Sequence, residues 1–226
     1  MNDITAIIPV RKGSRRLKNK NISQFGNTNL LIRKIRQLKK IKELNRIIVS
    51  SDCDKMLGMA KDEGVFTHKR TPEYCDEKTK TFGEVVKHIC ENVEGKHILW
   101  ATCTSPLVIP KNYSQAIKTY FEKLGEFDSL MSVEPFKRYI WNESGPLNYE
   151  LGVKHVPSQE LEQLYFVTDG ILIAPRLKMI EWNYFHGPNP YKFIIDKIHC
   201  VDIDDELDLE DAKARLKLLK KYGEEK

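Results

Sequence analysis

Long apolar runs are missing from this 226-residue chain: no stretch approaches the roughly 18 uncharged apolar residues that a membrane helix requires. Met1-Asn2-Asp3 and the short Ile-Ile-Pro run after it lack the basic segment and apolar stretch of a secretory leader. The reading is a cytoplasmic protein without a membrane span. Metal-knuckle and redox spacings are absent too. The five cysteines (Cys53, Cys75, Cys90, Cys103, Cys200) are odd in number and no two stand in a Cys-x-x-Cys pair. They read as free thiols in a reducing compartment. The six histidines show no ligand spacing. Neither a P-loop nor a Gly-x-Gly-x-x-Gly turn occurs, which disfavours the nucleotide- and dinucleotide-binding classes built on them.

What is present is enough apolar material for one core. Apolar residues make up 41% and charged residues 31%, so the chain fits a single α/β domain over 1–226 rather than two full domains. The net charge of +5 is unevenly spread: residues 1–50 carry 13 Lys/Arg against 2 Asp/Glu, and the remainder carries 24 against 30. A basic end on an acidic protein suggests an anion site, for a polyanion or a phosphorylated small molecule.

Short apolar runs alternate with amphipathic stretches, the pattern of a mostly parallel sheet covered by helices. Strands are expected at 5–10, 46–50, 65–68, 97–101, 129–133, 170–174 and 194–203. Helices are expected at 30–40 with a basic outer face, from a Ser51-Asp52 cap to Asp62, from a Thr81-x-x-Glu84 capping box, from Pro110 towards Gly125, and at 207–219. Between Glu134 and about Leu164, three prolines break the rhythm. Phe136, Tyr139, Trp141 and Tyr149 make this segment an insertion with surface worth burying, not a linker.

Three segments could carry chemistry. In Ile7–Asn21 a strand ends, Gly13 permits a tight turn, Ser14 offers a hydroxyl, and Arg11, Lys12, Arg15, Arg16, Lys18 and Lys20 surround them. Phosphates need close-approaching amides and cations of this kind, although a solvated basic loop would read the same way. In Val201–Asp208, Asp202 and Asp204 alternate along an expected strand end and project to one side, unpaired by nearby cations. Such a pair suits Mg²⁺, while Asp205, Glu206 and Asp208 suit a helix start. Thr102-Cys103-Thr104-Ser105-Pro106-Leu107, after a strand, reads first as a turn.

Together these segments resemble the acylneuraminate cytidylyltransferases (CMP-sialic acid synthetases) and their CMP-octulosonate relatives. Their opening Ile-Ile-Pro-Ala-Arg-x-Gly-Ser-Lys-x-Ile-Pro-x-Lys-Asn is matched at 7–21, Arg-Ile-Ile-Val-Ser-x-Asp at 46–52, Thr-Ser-Pro-Leu at 104–107 and Asp-Ile-Asp-x-Glu-x-Asp at 202–208. The resemblance implies a glycosyltransferase-A-like, Rossmann-like α/β fold with helices on both faces of a mostly parallel sheet. It further implies a homodimer built through 134–164, and Mg²⁺-dependent transfer of CMP from CTP to a sugar acid. By position, Arg11, Gly13, Ser14, Arg15, Lys20 and Asn21 would hold CTP, with Arg70, Thr81 and Thr102 as further nucleotide contacts. Asp202 and Asp204 would bind Mg²⁺, and Arg11, Arg15, Lys20 and Asp204 would carry the catalysis.

The departures fall where the acceptor is read. Lys18 and Val10 stand for the usual Pro and Ala, and Arg15 for Lys, a planar fork in place of a point charge. Thr102-Cys103 replaces Gln-Pro; Ser158-Gln159 and Asp169-Gly170 stand where sialate enzymes carry Arg-Gln and Asn-Gly. Gln159 and Asp169 are therefore the candidate acceptor contacts, and another nonulosonic acid, an octulosonate or a less acidic acceptor stays open. Two other classes are weighed. A nucleic-acid-binding module would use the basic end, but its cations surround a Gly-Ser turn instead of interleaving with aromatics. A sugar 1-phosphate nucleotidyltransferase would begin with a Gly-rich turn, which Val10-Arg11-Lys12-Gly13 is not.

Overall fold

The computed structural model describes residues 2–76 and 78–223. Seven strands form the main sheet: β1 (Ile4–Pro9), β2 (Arg46–Ser51), β3 (Phe66–Lys69), β4 (His97–Trp100), β5 (Ser129–Phe136), β6 (Leu164–Pro175) and β7 (Pro190–Ile194). Their spatial order is β7-β5-β6-β4-β1-β2-β3. Every pairing is parallel except those of β6, which runs antiparallel to both β4 and β5. The helices are α1 (Leu30–Leu38), α2 (Asp54–Asp62), α3 (Phe82–Glu91), α4 (Pro110–Lys123), α5 (Arg176–Trp182) and α6 (Glu206–Lys221). The expected α/β class, with helices on both faces, is what the chain adopts.

The continuous apolar runs of β1 and β2 suit strands covered on both sides. In β1, Ile4, Ala6 and Ile8 face a layer containing Leu31, Ile35, Tyr113, Leu209 and Leu216, from α1, α4 and α6. Ile7 faces the opposite layer, with Trp100, Val86, Ile89 and Met179 from β4, α3 and α5. The period-two alternation of a strand thus feeds two cores at once. Local chemistry starts the helices. The Asn29 side chain accepts from the Ile32 amide at 3.0 Å, and Thr81 and Glu84 close the expected capping box of α3. Asp205 and Asp208 do the same for α6, so the later acids of the closing motif are a helix start.

Five expectations change. α2 begins at Asp54, because Ser51 is still in β2 and its hydroxyl accepts from the Cys53 amide at 3.0 Å. α5 has no sequence counterpart in the expected scheme. β5 and β6 run longer than expected, pairing Leu164 with Phe136 and Phe166 with Glu134, so the excursion between them covers 137–163. Beyond Val133, β5 no longer has β7 beside it, and an edge position tolerates Pro135. Residues 195–204 are not a strand: β7 ends at Ile194, a 3₁₀ turn covers Lys197–His199, and 201–204 is coil. That coil is held by the Ile203 amide on Thr104 O at 2.8 Å and by His199 Nδ1 beside Leu107 O at 2.8 Å.

The fifth change concerns the basic face of α1. Lys34 is fully buried and Arg33 nearly so, not solvated. Lys34 Nζ donates to Ser105 O at 2.9 Å and to the Tyr113 hydroxyl at 2.6 Å, and Arg33 Nε and Gln37 Nε2 both donate to Pro106 O at 2.9 Å. Carbonyls turned inward by the Ser105-Pro106 turn need donors, and long cationic side chains from α1 reach them.

Candidate active site

The carboxyl ends of β1, β3 and β4 open into a cleft of about 740 Å³, on the edge where ligands of open α/β sheets usually bind. The basic loop after β1 forms one side. Gly13 takes φ +86°, and Asn19 takes φ 57°, before a 3₁₀ turn over Lys20–Ile22. Its backbone is pinned from several directions. The Asp52 carboxylate accepts the Lys12 amide at 2.9 Å, the buried Asn21 side chain donates to Arg11 O at 3.0 Å, and the Arg70 guanidinium donates to Val10 O. Arg11 itself donates to Cys75 O at 2.9 Å. Asn21 and Arg70, expected as nucleotide contacts, thus also shape the loop. Arg70 is almost wholly buried, and its Nε has no hydrogen-bond partner among the described residues.

The closing acidic motif meets this loop. Lys20 Nζ lies 2.9 Å from Asp204 Oδ1, and Arg16 Nη2 2.7 Å from Asp204 Oδ2. The expectation that this carboxylate pair stands clear of cations is therefore corrected: folding brings Lys20 and Arg16 onto Asp204 from the far end of the chain. Although 201–204 is coil and not a strand end, Asp202 and Asp204 both line the cleft. Partial burial raises the Asp204 carboxyl but is outweighed by the hydrogen bond and charge of Lys20 and by Arg16, so it sits below the ordinary range. Burial raises Asp202, against a hydrogen bond from Thr104. Asp169 is raised by burial and then by the charge of Asp202.

A divalent ion fits this end of the cleft. Asp202 Oδ1, as distinct from the carboxyl's contact with Thr104, is buried with no hydrogen-bond partner among the described residues, beside a second carboxylate whose present partners are side-chain cations. Among the described residues no group of three or more His, Cys, Asp or Glu is arranged to hold a metal. The protein side would thus be two carboxylates, which leaves the remaining positions to water and phosphate oxygens, as Mg²⁺ prefers.

The other walls combine expected and unexpected residues. Ser14 and Arg15 line the cleft with Arg11, Lys20 and Asn21, and Gly13 turns the loop without lining it. Thr81 lines the cleft while capping α3. Thr102 lines it too, its hydroxyl donating to Asp169 O at 3.0 Å. The Thr102–Leu107 segment is a turn, as read first. Sequence reasoning missed Tyr74, stacked on His88 at 3.8 Å with Lys80 Nζ 5.2 Å from its centroid. It also missed the apolar wall of Phe82, Val85, Trp100, Leu172 and Phe185, in which the Phe82 ring meets Phe185 edge-on at 5.1 Å. No spacing marks these residues, because they come from separate elements. A side recess of about 420 Å³ continues from the cleft past Asp169, Phe82 and Phe185 to Val167, Tyr184 and His186. Gln159 is not brought here. It sits exposed on the 158–160 turn, its carbonyl accepting from Lys137 Nζ at 2.6 Å.

Cys103 is buried, and burial pushes its thiol up to about 12. No helix among the described residues is long and apolar enough to cross a membrane.

Comparison with known proteins agrees with this geometry. An N-acylneuraminate cytidylyltransferase of Escherichia coli O18:K1:H7 is 27% identical over 220 residues, covering 92% of this chain and 50% of that protein. The chain thus spans about half the length of this relative. A pseudaminic acid cytidylyltransferase of Campylobacter jejuni is 24% identical over 94% of this chain and 95% of its own length. A solved CMP:2-keto-3-deoxy-manno-octonic acid synthetase complexed with CTP superposes with a TM-score of 0.72 at 11% identity, covering 96% of this chain and 99% of its own, a likeness of fold. The family profile described as Cytidylyltransferase matches residues 5–178, and the chain belongs to that family.

Proposed function

We propose that this protein transfers CMP from CTP to the anomeric hydroxyl of a nonulosonic, sialic-acid-like sugar acid and releases pyrophosphate. The hydroxyl oxygen forms a bond to the α-phosphorus as the bond to the bridging oxygen of pyrophosphate breaks, and the hydroxyl proton passes to water. Such transfers depend on positioning and charge neutralisation more than on a covalent nucleophile. The observation that carries the reading is the meeting of the basic loop with Asp204 in one cleft, cations and carboxylates facing the same space.

Arg11, Ser14, Arg15 and Lys20 hold the triphosphate, and their charge stabilises the departing pyrophosphate. An incoming triphosphate offers Lys20 and Arg16 new anionic partners, which releases Asp204. Mg²⁺ held by Asp202 and Asp204 would supply Lewis-acid polarisation of the α-phosphate. Arg70 keeps the loop in shape, and Thr81, Thr102 and the stacked Tyr74 form the nucleoside side of the cleft. Asp169, in the passage to the side recess, meets the acceptor. Gln159 reaches an acceptor only from a partner subunit, in keeping with a homodimer built through the 137–163 excursion.

Two relatives are named for N-acylneuraminate and pseudaminic acid, which supports a nonulosonic acceptor. The second reading, an octulosonate acceptor, is supported by the fold likeness to the octonic acid synthetase. A nucleic-acid-binding role is disfavoured because Arg16 and Lys20 are folded onto Asp204, and Arg15 stands 3.9 Å from Asp76. The test is a pyrophosphate-release screen over nucleoside triphosphates and 2-keto-3-deoxy sugar acids with Mg²⁺. Turnover with CTP and a nonulosonic acid is expected. No release with any acid, together with no CTP binding by calorimetry, would sink the proposal.

A further inference from the structure

Asp169 sits in an irregularity of β6. The register with β5 shifts between Val167 and Leu172, and Asp169 takes φ 51°, a left-handed conformation uncommon for residues other than glycine, asparagine and aspartate. Such a position persists only where its surroundings impose it. Here the bulge is docked on the Thr102–Val108 turn. A Cβ at Gly170 would stand 2.8 Å from Val108 Cγ2, so the Gly170 backbone lies close against the Val108 and Ser105 side chains. Thr102 donates to Asp169 O at 3.0 Å, and the Tyr113 hydroxyl donates to Gly170 O at 3.2 Å. That same hydroxyl accepts from Lys34 Nζ at 2.6 Å, and Lys34 also holds Ser105 O at 2.9 Å. The buried Lys34 side chain on α1 therefore grips both sides of the joint that presents Asp169 to the cleft and to the side recess.

We propose that Lys34, through Tyr113 and the Ser105 carbonyl, is a positioning residue that sets Asp169 for the acceptor. Lys34 Nζ stands at hydrogen-bond distance from both partners, with the centroid of the Tyr113 ring 4.9 Å away. The Tyr113 hydroxyl reaches β6 through Gly170 O and is bonded to none of the residues assigned to CTP, so its loss acts on the acceptor side of the reaction. The inference rests on the reading above that Asp169 meets the acceptor.

The experiment uses the full chain and two variants, Tyr113→Phe, which removes one hydroxyl and keeps the ring, and Lys34→Met. In pyrophosphate release with the acceptor found by the screen, KM for the acceptor is expected to rise about tenfold in Tyr113→Phe while KM for CTP stays within about twofold, tenfold being about 1.4 kcal/mol. Adding Asp169→Asn to the Tyr113→Phe background is expected to cost much less than it does alone, because the two act as a unit. Equal changes in both KM values, or a lowered melting temperature with neither KM changed, would show a structural role only and overturn the proposal. Hydrogen exchange at the Ile171 amide, which donates to Ser132 Oγ at 2.9 Å, reads the joint without any turnover. Faster exchange there in Tyr113→Phe supports the grip even if no acceptor is found; unchanged exchange removes it. The acceptor reading and the positioning claim therefore fail separately.

Discussion

Lys20 Nζ and Asp204 Oδ1 stand 2.9 Å apart although 184 residues separate them in sequence. This ion pair, with Arg16 on the other carboxylate oxygen, joins the first loop to the last coil before α6. It closes the floor of the cleft on groups of opposite charge. Both partners are partly open to solvent, so its worth to stability is about 0–1 kcal/mol, and its importance is to the arrangement of charge.

Asp204→Asn tests that arrangement. Loss of one carboxylate charge is expected to lower turnover by about 10³-fold, in the range of removing a principal electrostatic group, while the urea midpoint moves little. Pyrophosphate release and equilibrium unfolding measure the two sides. Retained Mg²⁺-dependent turnover would take Asp204 out of the metal site.

Asn21→Ala removes the side chain that donates to Arg11 O and accepts from the Cys103 thiol. The expected cost is about 1–3 kcal/mol of stability from buried groups left unpaired, with a raised KM for CTP. Unfolding curves and CTP titration check both. An unchanged KM would mean that the loop holds its shape without this tether.

His68 gives a pH prediction. Burial, then the charges of His88 and Arg70, pull its imidazole down to about 4, and its Nδ1 lies 3.0 Å from Ser50 Oγ. The unfolded chain takes up a proton on this residue below about pH 6.5, and the folded protein does so only near pH 4. Stability is therefore whole above pH 6.5 and falls as pH drops towards 4. His68→Asn should flatten this part of a plot of urea midpoint against pH, and an unchanged slope would assign the loss to other groups.

The excursion at 137–163 leaves Trp141, Leu147, Leu151 and Val153 exposed. Several exposed apolar side chains in one segment suit a covered surface. We expect a dimer in sedimentation equilibrium, with Leu151→Glu combined with Val153→Glu weakening it by at least about tenfold, the factor of about 1.4 kcal/mol. A wild-type monomer at micromolar concentration would remove the interface.

Local chemistry made part of this protein legible in its residues. The double-sided strands at Ile4–Pro9 and Arg46–Ser51, the Thr81–Glu84 capping box, Pro110 at the start of α4 and the acids opening α6 each depend on a few neighbouring side chains. The Gly13-Ser14 loop and the Asp202–Asp208 motif are short enough to be recognised as contiguous words. The extra length of β5 and β6 was not legible, because each extension exists only as the other's hydrogen-bond partner.

The same division holds at the site. The sequence alone determined the fold class, the family and which two ends of the chain carry the cations and the carboxylates that meet in the cleft. Only the tertiary structure decided that Lys20 and Arg16 rest on Asp204, that Lys34 is a buried clamp and not a solvated cation, and that Tyr74, Phe82 and Phe185 wall the cleft. The physical reason is range. Capping, periodicity and turn chemistry act across three or four residues. Burial and ion pairing depend on which elements the sheet order sets side by side, and that order is settled only when the whole core closes.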